Sequence, residues 1–270
     1  MNVQGALSRG LEILGILASS QGGLPLAAIA EQVDMPKSGV HRTLQILIAE
    51  DYVSQDPDSG HYRLTLSLPV LGLQYLSLNS VTSLATPLLD SLAASTGQLV
   101  RLAVSDGDRL VWVAKRQGSR SGLRFDPDHA ADVPLASTAT GLAWLSHLPD
   151  DEAIRVAVRS DVPLRHPAGP NLPVGIDELV KTLDEVRSQG WATVHDSYEL
   201  GISAIAMAVA APDAARPVGV VSVAGPSIQL TSDRIREIAP SLRSVVAQLE
   251  RVPVAMMPQA SANTDREGAR

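Results

Sequence analysis

Residues 35–53 read MPKSGVHRTLQILIAEDYV. Val40, Leu44, Leu47 and Ile48 fall at i, i+4, i+7 and i+8, the spacing of one buried helical stripe. Ser38, His41, Arg42 and Gln45 fall at i, i+3, i+4 and i+7 and make a second stripe opposite the first. Lys37 stands at its start. A helix that only packs and is solvated usually carries Glu and Lys outside. This one carries side chains able to reach base edges and phosphates. A solvated polar face is the plainer reading of the same stripe, and the flanking segments decide between the two.

Before it, Leu7, Leu11, Ile13, Leu14 and Leu17 give an amphipathic helix that Gln21-Gly22-Gly23 stops. Residues 26–33 form a short second helix with Ile29, Ala30 and Val33 inward. Asp34 and Met35 make the turn, and Pro36 is predicted at the first position of the third helix, where a missing N–H is harmless. Helix, short turn and polar-faced helix is the helix-turn-helix pattern. After it, residues 52–55 and 61–64 alternate around Asp-Pro-Asp-Ser-Gly, a hairpin that makes the unit a winged helix-turn-helix and puts Arg63 on the wing. The predicted DNA contacts are Lys37, Ser38, His41, Arg42, Gln45 and Arg63. His41 reads equally as a phosphate donor or as a solvated member of the stripe.

Charge limits this reading. The 270-residue chain has a net charge of −7, which excludes a broadly basic nucleic-acid coat. Within residues 1–76, Arg9, Lys37, Arg42 and Arg63 face Glu12, Glu31, Asp34, Glu50, Asp51, Asp56 and Asp58. Few phosphate contacts per subunit imply modest non-specific affinity and reliance on two or more copies. The chain has no cysteine, so disulfides, thiolate chemistry and cysteine-ligated metal centres are excluded. Glu12 interrupts the N-terminal apolar run with no cleavage site beyond it, and the apolar stretch at 202–211 is too short for a membrane helix. A cytoplasmic protein without membrane contact is expected.

From Pro69, Val70, Leu71, Leu73, Leu76 and Leu78 cover most of a helix circumference, which suits burial against a second copy. A helix at about 82–95 follows, and the domain boundary is placed in this helical connector. Residues 98–116 form a hairpin turning at Asp106-Gly107. Helices are predicted at 137–148, at 176–190 ended by Gly190, and at 231–251 capped by Thr231 or Ser232. Residues 191–226 supply further strands. The mix is α+β, a sheet with helices on its faces.

These pieces together resemble the IclR family of bacterial transcription regulators. The likeness runs through LSRGLEILGILA, LAAIAEQVDMPKSGVHRTLQIL and DSGHYRLTLSLPVLG, then VPLASTATGLAWL, GWATVHDSYELGISAIA and VGVVSVAGP. It implies a winged-helix reader of double-stranded operator DNA at 1–68, a helical connector at 69–80 and a GAF-like effector-binding domain with an antiparallel sheet at 81–253. Residues 254–270 read as a disordered tail. The resemblance also implies a homodimer or dimer of dimers and a small, carboxylated effector; no cofactor or metal is expected. Carried over by position, the pocket is lined by Ala139, Thr140, Ile202, Ala204 and Ser222. Three departures stand out: Leu142 replaces a common Lys, Ser197 a frequent Glu, and Ala224 the second Ser of S-x-S-G-P. Each removes a polar group, which suggests an effector less polar than small keto-acids such as glyoxylate, or a different anchoring.

Two features of the residues themselves bear on the pocket. Thr138 is placed to cap the helix at 137–148, which would leave the amides of Ala139, Thr140 and Gly141 to an anion. An ordinary capped helix is the plainer reading. Ser222 points inward on a strand otherwise written in Val, so its hydroxyl needs a partner.

Val-His-Asp-Ser-Tyr at 194–198 is not a catalytic triad, because consecutive strand residues alternate faces. There is no nucleophile elbow or phosphate loop. His129, His147 and His166 are too scattered to mark a metal site, and Trp112 and Trp144 read as core. The function expected is a non-enzymatic, ligand-responsive transcription regulator. The alternative is a small-molecule enzyme or carrier with an accessory winged helix.

Overall fold

The computed structural model describes residues 5–78, 81–119, 122–127, 132–160, 169–173, 175–211 and 214–252. His129, His166 and the expected tail at 254–270 lie outside the described residues, as do the side chains of Leu76 and Leu78. The chain divides into two compact units, Met1–Leu78 and Asn79–Arg270.

In the first unit, α1 (Ala6–Ala18), α2 (Leu26–Gln32) and α3 (Lys37–Ala49) precede the antiparallel strands β1 (Val53–Gln55) and β2 (Tyr62–Leu64), and α4 (Ser67–Leu78) ends it. The apolar periodicity is spent as the spacing requires. Ile13 and Leu17, Ile29 and Ala30, Val40 and Leu44 meet with Val53 and Tyr62 in one core. Pro36 differs from expectation: its extended ψ of 138° makes it the residue before the helix, so α3 begins at Lys37. The hairpin is anchored by a bridge between Leu24 and Tyr62. Gly23, at φ 81°, permits this, because a Cβ there would sit 2.5 Å from the Tyr62 carbonyl oxygen.

The second unit begins with α5 (Val81–Thr96) and the hairpin β3 (Leu99–Asp106) and β4 (Arg109–Gln117). Then come α6 (Ala139–Leu145), α7 (Asp150–Arg159), α8 (Ile176–Gln189), β5 (Ala192–His195), β6 (Ile202–Val209), β7 (Gly219–Pro226) and α9 (Ser232–Leu249). The five strands form an antiparallel sheet in the order β4-β3-β7-β6-β5. Alternation splits each strand between two cores. Val100, Leu102, Val221, Val223 and Ile205 face α5 and α9. Leu99, Ala103, Val220, Ala224, Ala204 and Ala206 face α6, α7 and α8. Thr231 caps α9 by accepting from the Arg234 amide at 3.3 Å, and Gly190 ends α8 at φ 81°. The helix α7 is absent from the sequence reading, because only Ala153 and Val156 of its ten residues are buried and so narrow a stripe does not stand out.

Candidate nucleic-acid interface and effector site

Helix α3 separates its two stripes as their spacing demands. Val40 and Leu44 are buried, while Lys37, Ser38, His41, Arg42 and Gln45 are all exposed. Among the described residues none of these five side chains is held by a hydrogen bond or an ion pair, so the face is free to meet a ligand. Arg63 projects from the wing but lies 3.5 Å from the Asp56 carboxylate. Asp56 is fixed by the Ser59 and Asp58 amides and the Ser59 hydroxyl; these, and Arg63, hold its pKa below the usual value. Arg63 is therefore shared between the wing turn and any phosphate.

In the second unit α6 packs on β6 and β7. Thr138 caps it: its Oγ1 accepts from the Gly141 amide at 3.0 Å and donates to the Pro134 carbonyl at 2.8 Å. This corrects the expectation for Gly141. Its amide is taken by the cap, and a Cβ would run into the Leu135 backbone, so Gly141 serves packing rather than an anion. Gly141→Ala should therefore destabilise the chain by about 1–3 kcal/mol, as overpacking does, which urea unfolding will measure. An unchanged midpoint would contradict the close approach.

Ala139 and Thr140 are buried in the first turn of α6, and Ala204 and Ser222 lie on adjacent strands of the facing sheet. Ile202 sits further along β6, opposite Pro226, and is only partly buried. Leu142, where the family likeness led to a Lys, is 1% exposed in the core of this face. Ser222 is 1% exposed, and its Oγ has no hydrogen-bond partner among the described residues.

The sequence reading missed the neighbour of Ser222. Arg101 on β3 lies opposite Ser222 in register, on the α6 side between Leu99 and Ala103. It is 7% exposed, and its guanidinium carbon stands 3.8 Å over the Trp112 ring centroid and 5.8 Å from that of Phe125. Burial lowers its pKa to about 10, so it remains a cation at neutral pH; nearby Tyr198 acts the other way. The available signal was an arginine inside the alternating apolar run Leu-Val-Arg-Leu-Ala-Val. Trp112 is core, as expected, yet its indole Nε1 has no acceptor among the described residues.

The His195 region is a structural staple. Ser203 donates to Ser227 at 2.9 Å, and Ser227 donates to Asp196 at 3.0 Å. With its proton so committed, Ser203 must accept from His195 Nδ1 at 2.9 Å, the reverse of a histidine activating a nucleophile. Ser197 is buried and bonded to the Ser137 carbonyl. A separate groove of about 350 Å³ lies by His147, Arg187, Trp191 and Arg243. Arg187 there already bonds the Ser146 and Leu148 carbonyls, Asp150 and Asp184, and burial opposes the rise in its pKa that these acids cause. Among the described residues no group of three metal-ligating side chains occurs, and no helix is long and apolar enough to cross a membrane.

A winged-helix unit with an open polar reading face marks the class of DNA-binding regulators, and the sheet-and-helix unit that follows it buries unmatched polar groups. Comparison with known proteins agrees. The IclR helix-turn-helix domain model matches residues 6–57, and the bacterial transcriptional regulator IclR C-terminal model matches residues 73–251. The HTH-type transcriptional repressor AllR of Salmonella paratyphi A is 30% identical over 229 residues, which cover 85% of this chain and 82% of that protein. A crystal structure of an IclR transcriptional regulator from Alicyclobacillus acidocaldarius superposes with a TM-score of 0.77 at 26% identity, covering 91% of this chain and 97% of that one. A Microbacterium hydrocarbonoxydans IclR homologue, complexed with 4-hydroxybenzoate, shares the fold with a TM-score of 0.72 at 18% identity, over 91% and 98% of the two chains. The chain belongs to the IclR family of transcriptional regulators.

Proposed function

We infer that this chain is a non-enzymatic, cytoplasmic operator-binding regulator whose DNA affinity is set by a small carboxylated effector in the second unit. The open stripe of α3 carries the reading. Five adjacent hydrogen-bonding side chains, exposed and unengaged on a helix whose other face is core, match a major-groove contact. Lys37 and Ser38 meet phosphate, Arg42 and Gln45 meet base edges, His41 supports them, and Arg63 reaches the backbone from the wing. The repressor named among the relatives supports repression as the output. Footprinting of the purified protein on DNA flanking its own gene tests this: a bounded protected site is expected, and uniform or absent protection would refute it.

The regulator acts as a homodimer or dimer of dimers. One reader unit carries only four cations, too few for tight binding alone. On α4, Val70, Leu71, Leu73 and Tyr75 are 45–64% exposed, an apolar surface suited to a second copy. Leu71→Glu should place a charge in that contact, shift the assembly toward monomer and weaken operator binding. Light scattering checks it, and a wild-type monomer at micromolar concentration would remove the idea.

A further inference from the structure

Among the described residues, four buried side-chain atoms have no hydrogen-bond partner: Arg101 Nε, Trp112 Nε1, Ser137 Oγ and Ser222 Oγ. Arg101, Trp112 and Ser222 sit on the α6 side of one sheet, and Ser137 directly precedes the cap of α6. An unmade hydrogen bond at a buried group is costly, and native proteins leave few. Four such atoms around one helix–sheet contact mark a place where a polar ligand can complete them.

Their chemistry limits that ligand. Arg Nε and Trp Nε1 only donate, so they require an acceptor. Arg101 also brings a positive charge, and no carboxylate among the described residues pairs with it. Lys115, its partner in register on β4, is engaged with Asp126 Oδ1 at 3.0 Å and the Pro127 carbonyl at 3.1 Å. A buried unpaired charge is among the least stable arrangements a fold can hold, so the required acceptor is an anion. The Trp112 face lies 3.8 Å from the guanidinium carbon and holds the cation in place, and a guanidinium's N–H fork suits a carboxylate. Ala204, Ala206 and Ala224 keep the adjoining sheet surface low, which favours a compact ligand. The serine hydroxyls then need a second polar function on it.

We propose that Arg101 is the charge anchor of the effector site and that the effector is a compact monocarboxylate with a second oxygen function. The carboxylate takes the Arg101 and Trp112 donors, and the hydroxyl or oxo group meets Ser222 and Ser137. This rests on the reading of the second unit as an effector domain. It moves the charge contact from the α6 N-terminus to β3, so that side chains rather than helix amides determine specificity.

The test uses the full chain with 4-hydroxybenzoate and glycolate, a larger and a smaller carrier of both functions, and with their neutral amides. At least one acid should raise the wild-type melting temperature while its amide does not. Arg101→Met should weaken that acid by about tenfold or more, the scale of a charge-assisted hydrogen bond, and should melt without ligand no lower than wild type. Arg101→Lys, which keeps the charge but loses the planar fork, should fall between them. If Arg101→Met does not fold, Trp112→Phe carries the test: it keeps an aromatic face, deletes one donor and should bind the acid several-fold more weakly. Equal binding by wild type and the variants, equal response to acid and amide, or no response to either acid would overturn the anchor. None of those results touches operator binding, which fails separately if wild type does not select its DNA site.

Discussion

Arg42→Ala is expected to lower operator affinity by between about thirtyfold and twenty-thousandfold. One bidentate base contact contributes roughly 1–3 kcal/mol, a symmetric dimer loses it twice, and each 1.4 kcal/mol is about tenfold. Arg42 is exposed at the centre of the polar stripe, between His41 and Gln45 along the chain and one turn from Ser38. Among the described residues its side chain holds nothing, so its loss should leave the melting temperature and the assembly unchanged. Binding to unrelated DNA should fall far less, because that binding depends on phosphate contacts. Fluorescence anisotropy with both duplexes checks the prediction. Equal operator affinity in wild type and variant would take Arg42 out of the reading face.

Trp144→Ala is expected to destabilise the protein by about 3–5 kcal/mol, the cost of emptying a large buried aromatic site. Trp144 is 0% exposed in the α6 core, and its Nε1 donates to the Pro217 carbonyl at 3.1 Å. The variant loses packing and orphans a buried acceptor. Trp144→Phe keeps most of the volume and should lose about 1–3 kcal/mol, largely through the unpaired carbonyl. Because α6 packs against the proposed effector site, the Ala variant should also lose carboxylate-dependent stabilisation. Denaturant unfolding separates the two variants, and a loss below about 1 kcal/mol for Trp144→Ala would contradict the fully packed helix.

The reader unit was the more legible part of the sequence, because each local signal there agreed with the next. Two stripes on residues 37–49, a turn before them and a hairpin after them leave one arrangement. Pro36 fell one position outside its expected place, a displacement that periodicity does not resolve. The second unit was legible as strands and helices but not as a site. Arg101 sits in a strand whose apolar alternation hides it, and its parity alone, matching Leu99 and Ala103, put it inside. Gly141 was misread because a cap and an open anion site share one sequence pattern; the Leu135 backbone over it, distant in no sequence sense but unreadable from spacing, decides between them. Ser222 was readable because one hydroxyl in a run of Val demands a partner.

The central claim, that this chain selects an operator through α3, is tested most directly by competition. The full-length protein is bound to a labelled fragment from upstream of its own gene at physiological salt. Unlabelled copies of that fragment, or of a scrambled duplex of equal length and composition, are then titrated in. The account predicts that the native fragment competes better by about 10³-fold or more, the margin of specific recognition. Equal displacement by both duplexes would contradict it.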